Sequence, residues 1–327
     1  MSLPSRRRPL TVAAAALSLS LAAMTAGCFS SGTTDAQPGT LAKDGALKGA
    51  TFTVGSKEFT EQLVLCGITS LALRSTGATV KEKCGLQGSN TTRAALTSGS
   101  IDMYWEYTGT AWTNYLKQTK PIPDSAKQYQ AVAQQDLSQN HVKWLAPTTA
   151  NNTYAIAAKT AAAQELGVTT LSDYAKLVDT DPAKASMCVA SEFAARSDGF
   201  PGLQKAYGFT VAKADLATLA EGAIYNSISK RDPCTFGMVT TTDGRIKGLG
   251  LTVIADDKKF FPIYNPALTV RETVYKEHPA LEKVIGPIAA ALTDPVLQDL
   301  NAQVDIEGKD AAAVAEAWLK SKGFIGK

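Results

Sequence analysis

Ile101-Asp102-Met103-Tyr104-Trp105-Glu106-Tyr107-Thr108-Gly109-Thr110 alternates apolar and polar residues and then stops at a Thr-Gly-Thr turn. The period-two placement of Ile101, Met103 and Trp105 predicts a strand with one buried face, and Gly109-Thr110 is expected to start a helix. The free amides of a helix start attract an anion. This junction would therefore set an aromatic ring beside an anion-friendly helix end, an arrangement suited to a ligand with a cation at one end and a carboxylate at the other.

Around this stretch, short β-type runs alternate with helix-type runs. Thr51 to Val54, Thr79 to Lys81 and Ile101 to Trp105 read as strands, with helices over Thr60 to Thr76 and Asn90 to Thr97. A second set has strands at Thr153 to Ala157, Ser186 to Ala190 and Thr235 to Val239, with a helix over Leu219 to Lys230. Beyond Pro266 the pattern is mostly helical, through Pro279 to Leu292, Pro295 to Val304 and Ala311 to Lys322, a tail expected to pack back on the first unit. The expected fold is α/β with two lobes: residues 50–150 plus 263–327 in one and 151–262 in the other, with a ligand cleft between them.

The N-terminal residues carry a different message. Arg6-Arg7-Arg8 precedes an apolar run from Leu10 to Met24 and the small residues Thr25-Ala26-Gly27. That run of about 15 residues falls short of the roughly 20 that span a bilayer, so 1–28 reads as an export signal. Met24-Thr25-Ala26-Gly27-Cys28 is similar to a lipoprotein processing site, which would leave Cys28 as a lipidated first residue; ordinary signal cleavage is the competing reading. The arginines suit either the general or the twin-arginine export route. Residues 29–49 are small and polar at their start and read as a flexible tether. The expected location is the extracytoplasmic face of the membrane, held by lipid only, and no second long apolar run suggests a fused permease.

Setting Cys28 aside leaves Cys66, Cys84, Cys188 and Cys234, an even number in an oxidising compartment. Four cysteines allow three pairings; Cys66 with Cys84 and Cys188 with Cys234 keeps each bridge local. There is no zinc-type spacing, and the two histidines, His141 and His278, read as surface residues, so neither metal nor cofactor is expected. Lysine and arginine total 33 against 30 acidic residues, without a basic stripe, which gives nucleic-acid binding little support. No nucleophile with its base, no carboxylate pair and no cofactor loop is assembled, so an enzyme is not expected.

Six segments occur in an order that resembles the osmoprotectant-binding proteins of ABC importers for glycine betaine, choline or carnitine. They are Gly55 to Gln62, Glu106 to Thr110, Asn151 to Ala155, Glu192 to Leu203, Thr242 to Ile246 and Pro262 to Pro266, and the likeness spans about residues 50 to 325. The resemblance implies a type II periplasmic-binding-protein fold, a monomeric binding protein, and a permease with its ATPase as partners. It also implies cage walls at Tyr107, Tyr154 and Tyr264, the Asn152 carbonyl facing the cation, and Lys57, Arg196 and Thr110 on the carboxylate. The chemistry agrees, because a quaternary ammonium has no N–H to donate and is held by dispersion and by aromatic faces. Where the family usually has a fourth cage tyrosine this chain has Thr240. The cage would then be open on one side, filled by another aromatic such as Trp105, Trp112 or Tyr225, or built for a different quaternary amine or an amino acid.

Overall fold

The computed structural model describes residues 36–42 and 45–327, all within one compact unit. Cys28, the export signal and the start of the tether lie outside the described residues. Two five-stranded sheets organise the chain. The first contains β1 (Thr51–Lys57), β2 (Thr79–Leu86), β3 (Met103–Tyr107), β4 (Val142–Pro147) and β10 (Pro266–Arg271), in the order β2-β1-β3-β10-β4. The second contains β5 (Tyr154–Lys159), β6 (Met187–Val189), β7 (Leu216–Thr218), β8 (Phe236–Thr240) and β9 (Leu251–Ile254), in the order β7-β6-β8-β5-β9.

Each sheet has a parallel set interrupted by one antiparallel strand, β10 between β3 and β4 and β5 between β8 and β9. Those two strands are the ones the chain enters directly from a crossing between the sheets. The crossings are bonded to each other: the Asn152 amide donates to the Tyr264 carbonyl at 3.1 Å, and the Tyr264 amide donates to Asn151 Oδ1 at 2.7 Å.

The opening stretch behaves differently from its alternation. β3 runs to Tyr107 and is buried on both faces, because it is the central strand of its sheet with helices on either side. Met103 and Trp105 enter one hydrophobic cluster with the Thr60–Ser75 helix and the C-terminal helices, whereas Ile101 and Tyr104 enter another with Trp144 and Val132. Glu106 and Tyr104 can be buried there because they satisfy each other, the Tyr104 hydroxyl donating to Glu106 Oε2 at 2.8 Å. Trp105 and Trp112 are core residues.

The C-terminal helices Leu281–Ala291, Asp294–Asp305 and Ala311–Ser321 join the first-sheet core through apolar faces that include Ile285, Ile288, Leu300 and Trp318. Residues 36–49, expected as the end of a tether, are docked where they are described. Pro38 bridges Ile325, the Thr40 amide donates to the Gly323 carbonyl at 3.0 Å, and Leu47 is buried in the first-sheet core. The reason is apolar content that the tether reading overlooked: Ala36, Leu41 and Leu47 all pack on that core. Disulfides join Cys66 to Cys84 and Cys188 to Cys234 as expected, one beside each sheet. No helix among the described residues is long and apolar enough to cross a membrane.

Candidate functional site

Strand ends and crossings deliver the candidate residues to one place. Lys57 ends β1, Tyr107 ends β3, Tyr154 begins β5 and Thr240 ends β8, while Asn152 and Tyr264 lie on the two crossings and Thr110 follows β3. These seven residues line a single cavity of about 270 Å³ between the sheets. Arg196 does not line it and stands behind its wall, with the guanidinium carbon 5.7 Å from the Tyr154 ring centre. A second cavity of about 380 Å³ lies on the Pro121–Pro123 side, and of the candidate residues only Tyr154 borders it.

Five aromatic rings line the first cavity. Tyr154 meets Tyr264 edge to face at 5.4 Å and Phe193 at 4.9 Å, and Tyr107 stacks with Phe59 at 6.1 Å. Phe59 and Phe193 were missed as ring surfaces in the sequence, although both sit inside the quoted segments. Trp105, Trp112 and Tyr225 do not line the cavity. Tyr225 lies behind Thr240 and its hydroxyl accepts the Thr240 amide at 3.0 Å, so it supports the strand end and adds no ring to the cavity. Gly109 makes the Tyr264 position possible, since a Cβ there would lie 2.6 Å from that ring.

Burial, the leading influence, holds the phenols of Tyr107, Tyr154 and Tyr264 above the ordinary tyrosine range, so all three are neutral. The Tyr264 hydroxyl donates to Asp198 at 2.6 Å, and Tyr107 donates to Glu61 at 2.8 Å. Glu61 stands in the first turn of the Thr60–Ser75 helix, and its carboxylate also accepts from Asn152 at 2.9 Å, Asn301 at 3.1 Å and the Thr242 hydroxyl.

The cations are already paired. Lys57 Nζ is 2.7 Å from Glu106, and Arg196 makes a two-pronged contact with Asp198 and a further one with Glu192 at 2.7 Å. Arg196 also reaches Thr110 Oγ1 at 3.5 Å. Burial opposes ionisation of Glu192, but Lys57, Arg196 and two bonds from Ser89 outweigh it and bring its pKa down to about 2. The anion-friendly helix start is partly occupied, because the Thr108 amide donates to the Asn265 carbonyl at 3.1 Å.

Two sheets of this order with a ring-lined cavity between them define a type II binding protein of the kind that serves ABC importers. The family described as the substrate binding domain of the ABC-type glycine betaine transport system matches residues 50–321, and the chain belongs to that family. It is 36% identical to a glycine-betaine-binding protein of Pseudomonas aeruginosa over 86% of this chain and 91% of that one. It is 31% identical to an ergothioneine transport permease/ergothioneine binding protein of Helicobacter pylori, over 85% of this chain and 49% of that one. Among solved structures, apo YehZ from Escherichia coli matches with a TM-score of 0.62 at 32% identity, covering 84% of this chain and 99% of that one. The chain is accordingly a substrate-binding protein of a glycine betaine-type ABC importer, a component that binds a small molecule and a permease and is not an enzyme.

Proposed function

We propose that the protein captures a quaternary-ammonium osmolyte in the cavity between its sheets and delivers it to the permease and ATPase of its importer. The observation that carries this reading is the convergence of five aromatic rings on one cavity with Lys57 and Thr110 on its wall. Neutral rings present negative faces to a methylated cation, each worth about 0.5 to 2 kcal/mol. Tyr107, Tyr154 and Tyr264 form the cage with Phe59 and Phe193. Asn152 faces the cation through its carbonyl, and Lys57, Thr110 and Arg196 hold the opposite end of the ligand, Arg196 doing so after the lobes adjust around it. The protein works as a monomer of two lobes, residues 50–150 plus 263–327 and 151–262, held at the extracytoplasmic face through lipidated Cys28.

A second reading keeps the importer and changes the solute to another quaternary amine or an amino acid. Thr240 in place of a wall tyrosine favours it, as does the relative named for ergothioneine. Calorimetry against glycine betaine, proline betaine, choline, carnitine, ectoine and proline tests both. Saturable binding of the methylated ammonium compounds is the expected result, and binding confined to proline would overturn the cage.

A further inference from the structure

Glu221 opens the helix Glu221–Lys230 and lines the same cavity as Thr240. Its carboxyl is half-buried and makes no hydrogen bond or ion pair among the described residues. One turn further along, Tyr225 holds the Thr240 amide, so the helix places Glu221 on the side of the cavity where the expected tyrosine is missing. Asn152, on the same cavity wall, has a buried side-chain oxygen with no donor. Neither group has a hydrogen-bond donor among the described residues.

The surrounding charge points the same way. Lys57 and Arg196 are matched by Glu106, Asp198 and Glu192, while Glu58, and Glu221 once ionised, add negative charge to the lining. The groups that act on Glu221 are Asp243, Glu192 and Glu58, which repel its charge, and Arg245, which favours it but is committed to Asp243 and lies 4.1 Å over the Tyr225 ring.

We infer that Glu221 is a specificity-determining residue that favours a quaternary ammonium carrying net positive charge and a hydroxyl, of the choline kind, over a zwitterion such as glycine betaine. The inference rests on the quaternary-ammonium reading above. A site with an acceptor in place discriminates against a ligand that leaves it unpaired, and a carboxylate-bearing ligand adds repulsion. Burial first, and then Asp243, push the Glu221 carboxyl up to about 8. A bound cation favours the ionised carboxylate, so binding releases a proton and tightens as pH rises toward that value.

The test is calorimetry of choline and glycine betaine on wild type and Glu221→Gln, at about pH 6.5 and about pH 8.5, either side of the ordinary neutral range. At the higher pH wild type is expected to prefer choline by about tenfold, with choline binding tighter there than at the lower pH and glycine betaine not following. In Glu221→Gln the preference shrinks and the pH effect on choline disappears. Equal or tighter glycine betaine binding by wild type, a choline affinity that falls with pH, or equal losses for both ligands in the variant would overturn the inference. The pH comparison needs only wild type and stands if the variant does not fold. Binding of neither ligand would overturn the quaternary-ammonium reading itself.

Discussion

Tyr107 and Glu61 meet at 2.8 Å, phenol to carboxylate, in the buried region where the two sheets approach. The same carboxylate accepts the Thr242 hydroxyl, which follows β8 of the second sheet. One side chain thus ties a cavity wall on the first sheet to the segment that follows β8 of the second. Thr242→Val removes that donor at nearly constant volume and leaves a buried acceptor less satisfied, at a cost of about 1 to 3 kcal/mol. Ligand affinity should fall roughly tenfold or more. Calorimetry that finds wild-type affinity would show that the bond does not contribute to closure.

Thr240→Tyr would add a ring to the cavity lining. Glycine betaine should bind about two- to thirtyfold tighter, the range expected for one added cation-π wall. Unchanged or weaker affinity would mean that the missing ring is not what limits this ligand.

Gly109→Ala would put a methyl group 2.6 Å from the Tyr264 ring and 2.8 Å from the Ile263 carbonyl. Since a backbone atom cannot move aside as a side chain can, Tyr264 should be displaced and binding lost, with destabilisation of about 1 to 3 kcal/mol. Thermal melting together with calorimetry checks this, and a variant that binds as wild type would contradict it.

Acid should loosen the contact between Ser89 and Glu192. Glu192 accepts the Ser89 hydroxyl at 2.6 Å and its amide at 3.0 Å, joining a residue of the first-sheet side to one of the second. Because its folded pKa of about 2 lies below the ordinary value of 4.5, the native state binds protons less readily than the unfolded chain. The stabilisation is therefore complete above about pH 5 and is lost as pH falls toward 2. Melting temperature measured over this range should fall more steeply in wild type than in Glu192→Gln; parallel curves would sink the assignment.

Replacing both cysteines of a bridge by alanine should destabilise the protein by about 3 kcal/mol for Cys66–Cys84 and about 4 kcal/mol for Cys188–Cys234, following the lengths of the loops they close. Denaturant unfolding of each variant measures this. Equal midpoints for wild type and both variants would show that neither loop is restrained usefully.

Much of the cavity lining could be read from the chain because its residues lie at strand ends and crossings inside short segments. Lys57, Tyr107, Tyr154 and Tyr264 converge because the strand order brings those ends together. What the sequence concealed was pairing across long separations. Glu61 lies in the first turn of its helix, yet Thr242 and Asn301 reach it from far along the chain, and Lys57, implied as a ligand group, is met by Glu106 from 49 residues further on. The alternation around β3 misled for a related reason: a central strand covered on both sides buries its polar positions too, provided they find partners such as Tyr104 and Glu106.

The strap formed by Pro38, Thr40 and their contacts with Gly323 and Ile325 has a mechanical consequence. Any pull arriving from upstream of residue 36 is borne by the half of the molecule that carries the C-terminal helices. The half built on β5 to β9 has no part in that strap, so such a load would not pass through it.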